Sequence, residues 1–184
     1  MEKMSDRELF SQITADDERA FTVFVKRYKD RLFNFVARII PERETAEDIL
    51  QETFLRVYNQ RKNYSPDYAL STWVYTIALN LVRSELRKRK LRRYMSLDFL
   101  KEQSDIELPD RTNLEPGMLK PLLEKAVKTL PEEYRIAFIL CDINRLPYNE
   151  IAEVMRVPVG TVKSRINRAR SMLREKLLPY KELN

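Results

Sequence analysis

The sequence predicts an all-α protein: two small helical domains joined by a flexible acidic linker. Three observations predict it. Apolar residues recur at three- and four-residue steps over most of the length, the period of a helix with one buried face. Glycine is nearly absent, Gly117 and Gly160 being the two in 184 residues, which argues against a sheet-rich or loop-rich fold. Between the periodic stretches, acids gather beside Pro109, Pro116 and Gly117, the composition of a tether. The division is an N-terminal domain over 1–93, a linker over 94–118 and a C-terminal domain over 119–184.

Each element has its own signal. From residue 18 onward, Phe21, Phe24, Val25, Tyr28, Leu32, Phe35, Val36 and Ile39 fall on one helical stripe, which Pro41 stops. Thr45-Ala46-Glu47-Asp48 reads as a capping box opening the next helix, whose apolar face is Ala46, Ile49, Leu50, Phe54 and Val57. Tyr64-Ser65-Pro66-Asp67 is a break, and a third helix starts near Ser71 or Thr72 and runs to about Arg93. The tether carries Asp98, Glu102, Asp105, Glu107, Asp110 and Glu115. Periodicity resumes with Leu119, Leu122, Leu123, Ala126, Val127 and Leu130, and Thr129-Leu130-Pro131-Glu132 marks a further helix start. Tyr134, Ala137, Phe138 and Cys141 continue its buried side.

Composition excludes whole classes of chemistry. The chain has no histidine and a single cysteine, Cys141. A His-liganded metal, an intrachain disulfide and a His general base are all impossible. No cofactor, no metal and no enzymatic activity are expected, and Cys141 in its apolar run reads as a structural thiol. No signal peptide opens the chain and no apolar run reaches transmembrane length. The expectation is a soluble, cytoplasmic protein without membrane insertion. The net charge of +6 suits a polyanionic partner.

The stretch Ile151–Arg168 reads as two short helices around a tight turn, a helix-turn-helix whose second helix can lie in a major groove. Val162, Ile166, Ala169, Leu173 and Leu177 share the packing face of that second helix. Thr161, Ser164, Asn167, Arg168 and Ser171 share the opposite face and suit base edges. Lys163, Arg165, Arg170 and Arg174 flank it and suit phosphates. Pro158 and Gly160 are expected to set the turn and the helix entry. Arg156 stands where the turn often holds glycine, at a cost of about 1 kcal/mol for a positive φ. Pro147 offers no capping oxygen to the first helix of the pair.

A second cationic stripe lies about 80 residues upstream. Asn80, Arg83, Arg87 and Lys90 recur at steps of three and four, with Lys88, Arg89, Arg92 and Arg93 beside them and Glu85 opposing. Phosphate contact and a merely solvated face both fit this stripe. Tyr64, Tyr68, Trp73 and Tyr75 surround its start, and aromatic rings beside cations can stack unpaired bases. Trp73 fits either a core anchor or such a platform, while Tyr64 and Ser71 are better placed to touch a splayed base. On the preceding helix, Asp48, Gln51, Glu52, Leu55 and Asn59 lie opposite the apolar face. This acidic, amide-rich strip repels DNA. It fits a helical protein partner as readily as plain solvent.

These segments carry a family resemblance. Ala46–Tyr58 resembles region 2.2 of the extracytoplasmic-function (ECF) sigma factors, group IV of the sigma-70 family. Leu70–Asn80 resembles their regions 2.3 and 2.4, and Pro158–Arg165 their region 4 recognition helix. Together, in that order and around a variable linker, they identify the chain as a member of that group. The resemblance implies a region 2 helical bundle and a region 4 helix-turn-helix domain. It implies a factor that binds core RNA polymerase and directs promoter-specific initiation. Asp48, Gln51, Glu52, Leu55 and Asn59 would dock on the β′ clamp helices. Tyr64, Ser71, Trp73, Asn80, Arg83, Arg87, Lys88 and Lys90 would hold and open the −10 element, with a flipped non-template base in the Tyr64–Ser71 segment. Thr161, Lys163, Ser164, Arg165, Asn167, Arg168 and Ser171 would read the −35 element. The linker would thread towards the RNA exit channel. A cognate anti-sigma factor is a further implied partner, and the free chain would be a monomer. The rival reading is a stand-alone helix-turn-helix regulator, which needs a dimer on a two-fold operator. A recombinase or nuclease would need a catalytic set that no cluster supplies.

Overall fold

The computed structural model describes residues 4–95 and 119–183. Among these the regular structure is helical, in eight α-helices: α1 (Asp6–Thr14), α2 (Glu18–Ala37), α3 (Arg43–Asn59), α4 (Leu70–Met95), α5 (Leu119–Lys128), α6 (Glu132–Phe138), α7 (Tyr148–Met155) and α8 (Val159–Leu177).

Helix α1 was not among the sequence expectations. A capping box starts it: the Ser5 hydroxyl accepts from the Glu8 amide at 3.2 Å, and the Glu8 carboxylate accepts from the Ser5 amide at 2.9 Å. The helix buries Leu9, Phe10 and Ile13. Asp17 caps α2, accepting from the Arg19 and Ala20 amides. Helix α2 ends at Ala37, short of Pro41, and Ile39 and Ile40 turn inward into the core.

Helix α3 corrects one expectation. It begins at Arg43 with Glu42 as an N-cap that makes no side-chain bond, so Thr45 lies inside the first turn and caps nothing. Glu44 in that turn still complements the helix dipole. After a 3-10 turn at Arg61–Asn63 and the expected break, α4 runs 26 residues, about 39 Å at 1.5 Å per residue. It takes in Tyr94 and Met95, the first two residues of the expected linker. The rest of the expected linker, 96–118, lies outside the described residues.

In the second half, α6 continues into a single π-type turn, Ile139–Ile143, which ends as the Asn144 amide donates to the Ile139 carbonyl at 2.9 Å. Such turns insert one residue into the helical ladder and re-aim the side chains beyond it. Asn144 is thereby turned inward, 6% exposed, and Arg145 comes next at φ 59°. Leu122, Ala126, Val127 and Leu130 are buried as expected, but Leu123 is not: it is 40% exposed at the mouth of a cleft beside Arg38.

The bihelical turn forms at Arg156, in the left-handed region at φ 57° and ψ 50°, and Pro147 caps α7 without a side-chain bond. Gly160 does not set this turn. It sits in the first turn of α8, behind Pro158, and a Cβ built there meets nothing within 4 Å.

The halves are packed on each other. One connected hydrophobic cluster runs from Leu9 in α1 to Leu173 in α8. Helix α4 lies along α7, and polar ties cross the seam. Asn144 donates to the Tyr75 hydroxyl at 2.7 Å and to the Arg31 carbonyl at 3.2 Å, and Arg31 donates back to the Asn144 carbonyl at 3.2 Å.

Candidate functional site

Three surfaces carry the candidate residues. The first is α8. Val162, Ile166, Ala169 and Leu173 are buried against α5, α6 and α7, which fixes the opposite face outward. Lys163, Ser164, Asn167, Arg168 and Ser171 are exposed there, and Thr161 is half-buried at the helix start. The Ser164 hydroxyl donates to the Thr161 carbonyl at 2.9 Å, which fixes its rotamer and leaves its oxygen free to accept.

Arg165 departs from the expected set. It pairs with the Glu133 carboxylate of α6 at 2.5 Å, its side chain only 17% exposed, so it ties two helices together and does not present a cation outward. The sequence spacing places it on the flank correctly, but not the acid that faces it. Arg170 is likewise engaged, donating to Asp142 at 2.8 Å beside the Cys141 sulfur. Burial first, then the Asp142 carboxylate, pushes the half-buried Cys141 thiol up. That favours the protonated, unreactive form.

The second surface is the start and outer face of α4. Asn80, Arg87, Lys88 and Lys90 are exposed or partly exposed along it. Arg83 is half-buried, donating to the Met155 carbonyl of α7 at a long 3.4 Å, and burial lowers its pKa from the usual arginine value. Arg89 is held by Glu85 and Glu42. Ser71 and Thr72 both donate to one oxygen of Glu150 in α7, at 2.7 and 3.2 Å.

Trp73 is part of an aromatic cluster. Its ring meets Phe10 edge-on at 5.3 Å and Tyr64 at 5.4 Å, and Phe10 meets Tyr64 at 4.6 Å. The core-anchor alternative therefore accounts for its packing. With Tyr64, Ser65, Tyr68 and Thr76 it also lines a cavity of about 400 Å³. The Tyr64 hydroxyl donates to the Tyr68 carbonyl at 2.7 Å, which shapes the rim. Glu153 and Arg156 of the second half also line it. Of the residues lining this cavity, the sequence reading singled out Tyr64, Tyr68 and Trp73 as candidates for base contact, and did not single out Thr76 or Glu153.

The third surface is the outward side of α3. Asp48, Gln51 and Asn59 are exposed, Glu52 is half-buried and paired with Arg56 at 2.7 Å, and Leu55 is 58% exposed. An open apolar groove of about 530 Å³ runs beside Leu55, between α2 and α3, with Phe21, Phe54 and Tyr58 as its floor. Phe21 and Tyr58 were not expected on this face; they meet edge-on at 5.0 Å, and the Arg61 guanidinium lies 4.2 Å from the Tyr58 ring centre. Their signal was present but ambiguous, since Phe21 sits on the same period as the core.

Known proteins share both halves of this architecture. Residues 24–92 match the family model described as Sigma-70 region 2, and residues 121–173 match the one described as Sigma-70, region 4. The chain is similar to the RNA polymerase sigma-H factor of Pseudomonas aeruginosa, 33% identical over 95% of this chain and 94% of that one. It is also similar to the ECF RNA polymerase sigma-E factor of Haemophilus influenzae, 33% identical over 97% and 98%. Among solved structures it resembles the sigma factor RpoE of Bartonella quintana in complex with the anti-sigma factor NepR. There the TM-score is 0.69 at 26% identity, covering 85% of this chain and 96% of that one. It shares the fold of CnrH in complex with the cytosolic domain of CnrY, with a TM-score of 0.71 at 24% identity, covering 96% and 98%.

Proposed function

We infer the division of labour along this chain from its family: the chain belongs to the ECF RNA polymerase sigma factors. It binds core RNA polymerase and directs promoter-specific transcription initiation. Its work is binding, not covalent chemistry.

The residue roles are our proposal, and the segregation of charge supports it. The outer strip of α3 is acidic and amide-bearing around an exposed leucine, whereas α4 and α8 present cations. The first would dock on the β′ clamp helices of polymerase through Asp48, Gln51, Glu52, Leu55 and Asn59, with Phe21 and Tyr58 receiving an apolar side chain. The region up to residue 93 would hold the −10 element through Asn80, Arg83, Arg87, Lys88 and Lys90 and take a flipped base against Tyr64, Tyr68 and Trp73. The region from 119 on would read the −35 element through Thr161, Lys163, Ser164, Asn167, Arg168 and Ser171. Opening duplex costs roughly 1.4 kcal/mol per stacked step, and an aromatic platform returns about 1–3 kcal/mol per captured base. Docking on polymerase supplies the position from which this exchange proceeds.

The solved relative from Bartonella quintana is held by an anti-sigma factor, and we propose a partner of that kind here. No described helix is long and apolar enough to cross a membrane; we propose a cytoplasmic protein, monomeric when free. The deciding experiment is reconstituted transcription from genomic DNA with core polymerase, with start sites mapped. New starts that need this chain, each preceded by two common boxes, support the reading. Starts that are the same without it would sink it. A dimer bound to two-fold sites without polymerase would instead favour the regulator.

A further inference from the structure

The cleft beside Leu123 shares no residue with the sets assigned to polymerase, the −10 element or the −35 element. It holds about 500 Å³, and its walls come from both halves of the chain. Asn34, Ala37 and Arg38 share one face of α2. Lys120, Leu123, Glu124, Val127 and Lys128 share one face of α5, at positions i, i+3, i+4, i+7 and i+8. Phe138, Asp142 and Ile143, from the end of α6 and the π-type turn, complete the lining. Arg38 and Glu124 link the two walls at 3.7 Å, a long ion pair. A lone exposed leucine needs no explanation. Leu123, 40% exposed, is not alone, because Ala37, Val127, Phe138 and Ile143 line the same cavity. A concave, largely apolar space of this size with a few polar groups is the form of a small-molecule site.

The charge of the lining says which molecule fits. Both of its acids are engaged, Glu124 with Arg38 and Asp142 with Arg170 of α8 at 2.8 Å. Lys120 and Lys128 are exposed and enter no ion pair among the described residues. They stand about 12 Å apart along the α5 axis, with Leu123 and Val127 between them. Apolar side chains with an ammonium group at either end suit a molecule with an apolar body and one anionic head. We infer that this cleft binds a small amphipathic carboxylate, its alkyl body against Leu123, Val127 and Phe138 and its head at one of the two lysines. Because α2 and α5 each supply a wall, the ligand is held only while the halves are packed, and it stabilises that packing by mass action. The inference does not depend on the promoter or polymerase assignments.

The probe is decanoate, titrated calorimetrically into the full chain at neutral pH and well below its micelle concentration, with helix content checked by circular dichroism for every variant. One decanoate should bind per chain, raise the melting temperature, and bind more weakly as salt rises. Decyltrimethylammonium, with the same tail and the opposite charge, should bind about tenfold more weakly. Leu123→Asp, at an exposed position, and Lys120→Ala combined with Lys128→Ala should each weaken decanoate about tenfold. Ala37→Leu, which adds volume on the α2 wall and alters no charge, should weaken it too. Equal affinity in the parent and these variants would place the acid elsewhere and overturn the proposal. So would equal binding of the two amphiphiles, or no saturable binding at all. Two other occupants give distinct results. Binding seen only after residues 96–118 are replaced by a Gly-Ser linker of equal length would assign the cleft to the chain's own linker. A dimer in sedimentation that Leu123→Asp dissolves would assign it to a second copy. Either result overturns the proposal.

Discussion

Asn144 donates its side-chain amide to the Tyr75 hydroxyl at 2.7 Å, joining residues 69 apart in sequence through the middle of the packed seam. Both are buried, and the Asn144 side-chain oxygen has no partner, so the residue is held there at some cost. Asn144→Ala removes its hydrogen bonds to the Tyr75 hydroxyl and the Arg31 carbonyl. The expected loss is about 1–3 kcal/mol of unfolding free energy, with a larger radius of gyration by small-angle X-ray scattering. If neither quantity moves, the bond contributes nothing to closure.

Alkaline pH should act on the same core. Burial raises the Tyr75 hydroxyl above its ordinary range; it raises Tyr28 further, and the Asp6 carboxylate that accepts the Tyr28 proton adds to this. Both groups favour the protonated form in the fold. The stability they confer is full at neutral pH and is lost as pH rises past the ordinary tyrosine value of about 10. In a spectrophotometric titration these two of the nine tyrosines should ionise only as the helices melt. Early ionisation of all nine with the helix signal intact would contradict it.

Leu55→Asp should separate docking from folding. The side chain is 58% exposed in the free protein, so the melting curve should hardly move. Burying a leucine in an interface is worth about 1.5–3 kcal/mol, so affinity for core polymerase should fall by roughly tenfold or more. Equal holoenzyme assembly by the variant would remove Leu55 from the docking face.

Arg168 and Arg165, three residues apart on α8, should behave differently. Arg168→Ala is expected to weaken −35 recognition by about 1–3 kcal/mol if the guanidinium reads a base pair edge, with thermal stability retained. Arg165→Ala should do the reverse, lowering the melting temperature by loss of the Glu133 pair while leaving the −35 base preference alone. A scan of −35 substitutions with both variants reads the distinction directly.

Sequence periodicity located α2 to α8 because each buries one continuous stripe, and a stripe is visible without a partner. It missed α1, although Ser5-Asp6-Arg7-Glu8 is a capping box in plain sight, because that helix is nine residues long and its buried Leu9, Phe10 and Ile13 make too short a stripe. Of the candidate residues, those on the outer faces of α3 and α8 were legible because exposure follows from the opposite face being buried. Arg165, Arg83 and Ser71 were not, since each is bound by a group, Glu133, Met155 or Glu150, that lies 32 to 79 residues away. Helical period encodes which way a side chain points, and it is silent on which distant element arrives there.

The unbroken apolar cluster from Leu9 to Leu173 bears on connectivity. Packing across the seam should hold the two parts together without covalent continuity between α4 and α5. Residues 1–95 and 119–184, produced as separate polypeptides in one cell, should reassemble spontaneously into a heterodimer that co-elutes. Such a split pair could be driven apart or brought together by fused ligand-responsive modules, turning promoter selection into an externally gated event.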